Sequence, residues 1–440
     1  MWISHEHKIG LISMANYNPS GFELKLWYTC VLAFNIIFSA DTVFADEYHH
    51  NNMLIGDRAS GMAGAYVAIA DDPVGLYYNP AGVVYSPNSN LSASMNALHI
   101  TTTVYKDVIG SENWVRTSVN LLPNYFGVTQ PLGHGTLGFS YAVTDSILED
   151  QDQVFLNIPG PGDTFTINFN NQETVYNIGP SYSLKLAKNT SVGVTLYGYV
   201  RMLEQIMNQM LDLKSQFLPE WTAQEYQQIN TYKHEEELGI KPIIGIMHSP
   251  FPKLSLGIKY SQVFVTYGKQ ESYSNCYTSL NLTEQTLCQQ NALVSVHGAG
   301  RYTLTEPWNI DLGAAYFADT KSVFSASISI WGPKYGLTEP LVNTAFGAEY
   351  YISSRWALRF GLFTNFANTP LIQKGVAKQK EHIDLYGGTF SFSHFTRSSS
   401  LTIGFAGSGG IGEAQAYGDT NIQDVYAITT TGFVSASYSY

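Results

Sequence analysis

The last seven residues constrain the fold most tightly. Val434, Ala436, Tyr438 and Tyr440 alternate with Ser435, Ser437 and Ser439. A period of two puts these sets on opposite faces of a β-strand, one apolar and one polar. The pattern recurs upstream. Phe324, Ala326, Ile328 and Ile330 alternate with Ser325, Ser327 and Ser329. Leu254, Leu256, Ile258 and Tyr260 alternate with Ser255, Gly257, Lys259 and Ser261. Val192, Val194, Leu196 and Val200 alternate with Ser191, Thr195, Tyr197 and Tyr199. After residue 45 there is no run of 18 apolar residues, so that part of the chain offers no candidate transmembrane helix.

Composition says which environment suits such strands. Charged residues are 13% of the 440, against about 25% in ordinary soluble domains. Apolar content is 45%, and Tyr (30) and Gly (38) are abundant. That balance fits a barrel with a lipid-facing outside and a polar lumen. Aromatics at 14% argue against disorder. The net charge of −12 argues against nucleic-acid binding, which needs a basic face. The terminal aromatic on the apolar face looks like the C-terminal signature of outer-membrane barrels. A secreted β-sandwich or propeller is the rival architecture, but its turns would be of similar length.

Residues 1–45 read as a signal peptide. Lys25 precedes a mostly apolar run from Leu26 to Ala40, and Val43-Phe44-Ala45 offers a cleavage site that leaves Asp46 first. Translation from Met14 and an uncleaved anchor are the alternatives. Beyond Cys30, the cysteines are Cys276 and Cys288, 12 positions apart in a polar stretch. A loop-stapling disulfide is the natural reading in an oxidising compartment, and metal binding is its rival.

Fourteen antiparallel strands are expected, near 89–106, 113–131, 135–148, 171–187, 190–204, 235–249, 254–268, 291–317, 321–332, 342–352, 355–367, 382–395, 398–408 and 424–440. Short turns alternate with long polar connections near 149–170, 205–234, 269–290, 333–341, 368–381 and 409–423, as in outer-membrane barrels. Glu306-Pro307-Trp308 reads first as a turn, which gives 15 strands and puts the C-terminus on the wrong side. A bend within the eighth strand restores an even count, and Pro is tolerated at bulges. The expected architecture is all-β: residues 89–440 as a barrel, with 46–88 as a plug in its lumen.

Residues 46–88 do not read as a strand. They are rich in small residues from Ser60 to Ala70, broken at Asp71-Asp72-Pro73, and turn at Asn79-Pro80-Ala81-Gly82. These stretches resemble the N-terminal hatch of the long-chain fatty acid transporter family of outer-membrane proteins. Phe346-Gly347-Ala348-Glu349-Tyr350-Tyr351 and Trp356-Ala357-Leu358-Arg359-Phe360-Gly361 resemble that family's tenth and eleventh strands. In layout the resemblance spans nearly the whole chain after the leader, and it is residue-specific in these two regions. It implies a 14-stranded monomeric barrel in a bacterial outer membrane that takes up hydrophobic small molecules by passive diffusion, long-chain fatty acids being the default. It also implies sideways release into lipid beside a third strand kinked at a glycine. Here Leu137 to Ile147 has no glycine at the position where the kink is expected, a departure from the family's pattern. The hatch motif (Asp71, Asp72, Asn79, Pro80, Ala81, Gly82) could touch ligand or simply fix the plug.

Alternation places Lys259, Arg301 and Arg359 on the lumen side, with His297 beside Arg301. Such cations suit an anionic head group. Pairing with Asp71, Asp72 or Glu349 is the structural alternative. In the 205–234 connection, Met207, Met210, Phe217 and Trp221 could form an outer capture groove or pack loop on loop. His49-His50 reads as a mobile tail rather than a metal site. Gly409-Gly410-Ile411-Gly412 has the wrong spacing for a nucleotide loop, and no G-x-S-x-G or H-E-x-x-H occurs. No enzyme activity, metal or cofactor is expected. The rival function is a barrel that docks or shuttles a partner protein in a secretion system.

Overall fold

The structure is a computed structural model describing residues 49–50, 52–86, 88–156, 158, 162–213, 226–279, 293–334, 338–416 and 420–440. The leader 1–45 lies outside the described residues. No described helix is long and apolar enough to cross a membrane.

Fourteen strands form one antiparallel sheet that closes on itself. They are β1 Asn90–Ile109, β2 Glu112–Leu132, β3 Gly135–Phe155, β4 Gly162–Ala187, β5 Thr190–Leu213 and β6 Tyr226–Phe251. Next come β7 in two segments, Leu254–Ser261 and Phe264–Thr278, and β8 in two, Val294–Thr305 and Asn309–Phe317. The rest are β9 Ser322–Trp331, β10 Leu341–Ser353, β11 Trp356–Asn365, β12 His382–Phe395, β13 Ser399–Ala414 and β14 Gln423–Ser439. Closure comes from β1 against β14, in register from Asn90↔Ser439 to Tyr105↔Val425. Closure removes the open edges that lipid would not tolerate. Alternate side chains point outward, and Leu196, Ile244, Ile258, Leu312, Ile328, Phe360 and Ile403 form part of an exposed apolar belt.

Glu306-Pro307-Trp308 is the bend that an even strand count demanded. It has a counterpart at Gln262-Val263 in β7, which the sequence did not reveal. The two bends are joined, since Glu306 N–H donates to Val263 O at 2.9 Å and Gln262 Nε2 donates to Glu306 O at 3.0 Å.

The strands on one side are longer than expected. β4, β5 and β6 have 26, 24 and 26 residues and continue into stretches read above as long polar connections. On β4 and β6 the outer face there is polar, with Asn168, Asn170, Gln228 and Asn230, because these strands have passed beyond the apolar belt. Their inner faces carry Phe165, Ile167, Phe169, Met207, Leu211 and Ile229, which join Tyr105, Trp114, Phe155, Ile383 and Leu385 in one buried cluster. Apolar-in with polar-out resembles a loop when outward apolarity is the sign being sought.

Residues 49–50 and 52–86 lie inside the barrel. Gly56 N–H donates to Ser94 Oγ of β1 at 3.2 Å, and Asn124 of β2 donates to Leu54 O at 2.9 Å. Thr195 of β5 donates to Leu76 O at 2.7 Å, and Thr389 of β12 to Gly61 O at 2.9 Å. These contacts come from opposite sides of a closed wall. The segment holds two short helices, α1 Arg58–Gly61 and α2 Gly75–Tyr78, and a 3-10 turn at Pro80–Tyr85. Ala59, Met62, Tyr66, Ala68, Ala70, Val74 and Ala81 are buried in a core shared with Tyr125, Ala142, Met247, Ala315 and Val323 of the wall.

Candidate functional site

Asn79 is completely buried, and its side chain makes three hydrogen bonds. Its oxygen accepts from Ala81 N–H at 3.1 Å and caps the 3-10 turn. Its amide donates to Val67 O at 2.8 Å and to Ile246 O of β6 at 3.2 Å. Pro80 starts the turn, where its missing N–H costs nothing. Ser183 of β4 donates to Pro80 O, and Ser191 of β5 donates to Ala81 O at 2.6 Å. A Cβ on Gly82 would strike the Ala70 carbonyl. Asp72 accepts from Tyr66 OH at 2.8 Å and from Val74 N–H at 2.9 Å, while Asp71 pairs with Arg58 at 2.8 Å. The hatch motif therefore spends its polar groups on the segment itself and on the wall.

The wall makes room with glycines. Gly245, Gly257, Gly313, Gly347 and Gly361 face the segment from five strands. A Cβ on Gly361 would lie 2.6 Å from Ala63 N, and one on Gly313 2.9 Å from Ala68 N. In the sequence these glycines look like ordinary members of alternating strands.

Lys259 and Arg359 are lumen-facing and buried, as alternation required, but both are already paired. Lys259 makes an ion pair with Asp311, and Arg359 Nε lies 2.7 Å from Glu349. Arg301 is a correction. It is exposed and stands opposite Lys269, with its guanidinium 5.7 Å over Tyr267. The neighbouring Tyr302 and Leu304 line the interior chamber, so Arg301 is on the outer face. The three-residue bend at 306–308 breaks the period of two and inverts the faces between the halves of β8. His297 shares the outer face and stacks on Tyr273 at 4.3 Å.

Of the capture-groove residues, Met207 is buried in the apolar cluster and Met210 is exposed on the other face of β5. Both belong to a strand rather than a loop. Phe217 and Trp221 lie outside the described residues. Cys276 is disulfide-bonded and buried in the same cluster; Cys288 lies outside the described residues. His49 and His50 are not a mobile tail. His49 Nε2 is 2.7 Å from Ile383 O, and His50 stacks on Trp331 at 3.8 Å.

Two cavities lie beside the N-terminal segment. The smaller, about 90 Å³, is bounded by Asn96, His99, Asp145, Ser146, Phe363 and Phe433. Arg116 roofs it, paired with Glu149 at 2.7 Å and lying 4.9 Å over Phe169 and 5.7 Å over Trp114. Sequence reasoning missed Arg116, although Arg116, Ser118 and Asn120 alternate with Val115 and Val119. The larger cavity, about 480 Å³, is bounded by Tyr77, Tyr199, Lys241, Tyr302, Leu304 and Trp331 among others.

Beside the smaller cavity the wall is interrupted. β2 and β3 pair from Leu132↔Gly135 to Tyr125↔Ala142, and beyond that only at Ser118↔Glu149. Pro123 lies in the break and has no N–H to give a ladder. β3 stays with β4 through a bulge at Thr144, where Val143↔Tyr176 is followed by Asp145↔Val175. Side chains replace part of the missing ladder. Asn120 Nδ2 donates to Ser146 O at 2.8 Å, and Gln151 Oε1 accepts from Thr117 N–H at 2.8 Å. Proline and a bulge thus break this seam without the glycine expected in the third strand.

No family model matches the chain, and no curated protein matches it. Solved structures do. A FadL homologue from Pseudomonas aeruginosa superposes with a TM-score of 0.60 at 14% identity, covering 87% of this chain and 98% of that one. The chain has the fold of bacterial outer-membrane channels. The toluene transporter TodX of Pseudomonas putida gives 0.60 at 16% identity, covering 88% and 98%. The Ralstonia pickettii toluene transporter TbuX gives 0.53 at 13%, covering 88% and 98%. A multi-pass barrel of this fold, belted with apolar side chains, sits in the bacterial outer membrane.

Proposed function

We propose that this barrel takes hydrophobic small molecules inward across the outer membrane by passive diffusion, long-chain fatty acids or similar molecules being the default substrate. The observation that carries the reading is the break between β2 and β3 facing a cavity inside the wall. A molecule that leaves there enters lipid directly and never crosses the N-terminal segment, which acts as a hatch across the lumen. The buried apolar cluster at the end with long connections supports the entry half of the route, since apolar side chains shed a greasy solute at little cost. Structural neighbours named for toluene transport support the substrate class in general terms. The test is uptake of radiolabelled oleate and toluene by cells whose own transporters are deleted, with and without this barrel. Equal uptake of both compounds in both strains would reject the proposal.

A filled outer lumen and tall strands β4 to β6 also suit a barrel that docks a partner protein. That reading predicts a stable complex recovered by cross-linking from the native host and no effect on uptake.

A further inference from the structure

We propose that the smaller cavity, beside the β2–β3 break, binds the hydroxyl of an unbranched alcohol, with Asn96 donating to its oxygen, and holds a carboxylate less tightly. The inference deepens the transport reading by naming a class of solute, and it rests on that reading for the route.

A chain of hydrogen bonds from the N-terminal segment fixes the donor. Leu54 O can only accept, so the Asn124 atom 2.9 Å from it is the amide nitrogen. That nitrogen also lies 3.0 Å from Asn96, so the Asn96 atom it meets is the oxygen. Asn96 Nδ2 then turns the other way, buried and without a partner among the described residues. Asn96 is 1% exposed and lines the cavity. Arg116 Nε, at the roof, is the other buried donor there with no partner among the described residues. A buried donor left unsatisfied is costly, and an oxygen atom brought to it recovers that loss.

Charge decides which kind of oxygen that is. Among the described residues, the charged side chains lining the cavity are Asp145, Glu149, Glu381 and Arg116. Arg116 is matched by Glu149 at 2.7 Å. Asp145 receives Asn52 Nδ2 at 3.2 Å, and Glu381 receives Tyr105 OH at 2.6 Å, both from uncharged donors. Two histidines also line the cavity. His49 Nε2 lies 2.7 Å from Ile383 O, and His99 Nδ1 lies 2.8 Å from Thr431 Oγ1. Three carboxylates against one guanidinium repel an entering carboxylate, and the force is large where water is partly excluded. A hydroxyl meets no such repulsion. Its oxygen can accept from Asn96, and its hydrogen can go to a carboxylate of the wall.

Size and surroundings choose the rest of the solute. The cavity of about 90 Å³ is the space of about three waters at ~30 Å³ each. That admits a hydroxyl and the first carbons of a chain. A benzene ring needs a cavity of about 150 Å³. Phe363 and Phe433 give the chain an apolar lining. Beyond them Leu121, in the stretch of β2 without a ladder to β3, is 70% exposed on the lipid side.

The test is calorimetric titration of the full-length protein in detergent with 1-hexanol and with hexanoate, against a blank of empty micelles. It is run at pH 8, where an ordinary imidazole is uncharged. The wild type should bind hexanol about tenfold more tightly than hexanoate. Asn96→Leu should weaken hexanol about fivefold, the scale of one neutral hydrogen bond. Ser146→Trp, which fills the cavity, should abolish hexanol binding. Asp145→Asn should strengthen hexanoate several-fold, because it removes one of the repelling charges. Heat-modifiable gel mobility confirms that each variant is a folded barrel. Equal affinities in the wild type, no saturable hexanol binding, or an unchanged hexanol affinity in Asn96→Leu or Ser146→Trp would overturn the site. Hexanoate binding unchanged in Asp145→Asn would overturn the discrimination by charge. If hexanol binds as stated but cells take up no oleate, transport fails and the site stands. If uptake occurs and hexanol does not bind, the site fails and transport stands.

Discussion

Arg58 of the N-terminal segment and Glu349 of β10 form a buried ion pair, with Nη2 2.6 Å from Oε2 and Nε donating to both carboxylate oxygens. Glu349 also receives Arg359 Nε at 2.7 Å, so one carboxylate stands between two guanidinium groups. Burial of such charges is tolerated only while each keeps its partner. Glu349→Gln should leave the two arginines facing each other and cost about 3–5 kcal/mol. The check is the temperature at which the folded band is lost on gels. Glu349→Gln with Arg359→Met should recover part of that loss, because it removes the like-charge contact. A double variant no better than the single would reject this account.

Asn79 ties the 3-10 turn, the preceding loop and β6 together. Asn79→Ala should cost about 1–3 kcal/mol, the scale of a lost cap and of buried carbonyls left unsatisfied. Asn79→Asp keeps the capping oxygen but turns a carboxylate toward Val67 O and Ile246 O. It should therefore be the worse of the two. Protease cleavage within 49–86 on the intact barrel reports the effect, and equal resistance of all three proteins would contradict it.

Glycines under the N-terminal segment are required by close approach, whereas exposed ones are not. Gly361→Val places atoms against Met62 and Ala63, and overpacking of this kind costs about 1–3 kcal/mol. Gly300→Ala meets nothing within 4 Å and should leave stability unchanged to within about 0.5 kcal/mol. Chemical denaturation of the refolded barrel separates the two cases.

Ser146 lines the cavity beside the β2–β3 break. Ser146→Trp should fill that passage and lower uptake of labelled oleate about tenfold, roughly 1.4 kcal/mol on the rate-limiting step. Unchanged uptake in a folded Ser146→Trp barrel would reject the sideways route.

Much of this molecule was legible in one dimension. A strand crossing lipid must alternate, and the alternation of Val434 to Tyr440 or Leu254 to Ser261 needs no knowledge of neighbours. Strand parity located the Glu306-Pro307-Trp308 bend for the same reason, since both ends of such a barrel share one side. Past the apolar belt the rule changes. At Phe165, Ile167 and Met207 the apolar face points inward, toward partners hundreds of residues away such as Ile383 and Leu385. Those stretches of β4 and β5 were read as loops.

The site was less legible, because its meaning depends on who meets whom. Residue type and face identified Lys259 and Arg359 as lumen cations. Only the fold brought Asp311 and Glu349 to them and set Lys241 over the ring of Tyr77. Arg301 changed faces because a bend resets a period of two. The β2–β3 break was sought as a glycine, and Pro123 with a bulge at Thr144 makes it instead. The sequence by itself determined a closed antiparallel barrel, since alternation and turn length are local consequences of the lipid each strand crosses. Tertiary structure alone decided which charges are paired and where the strand ladder is interrupted, since both depend on pairings between strands.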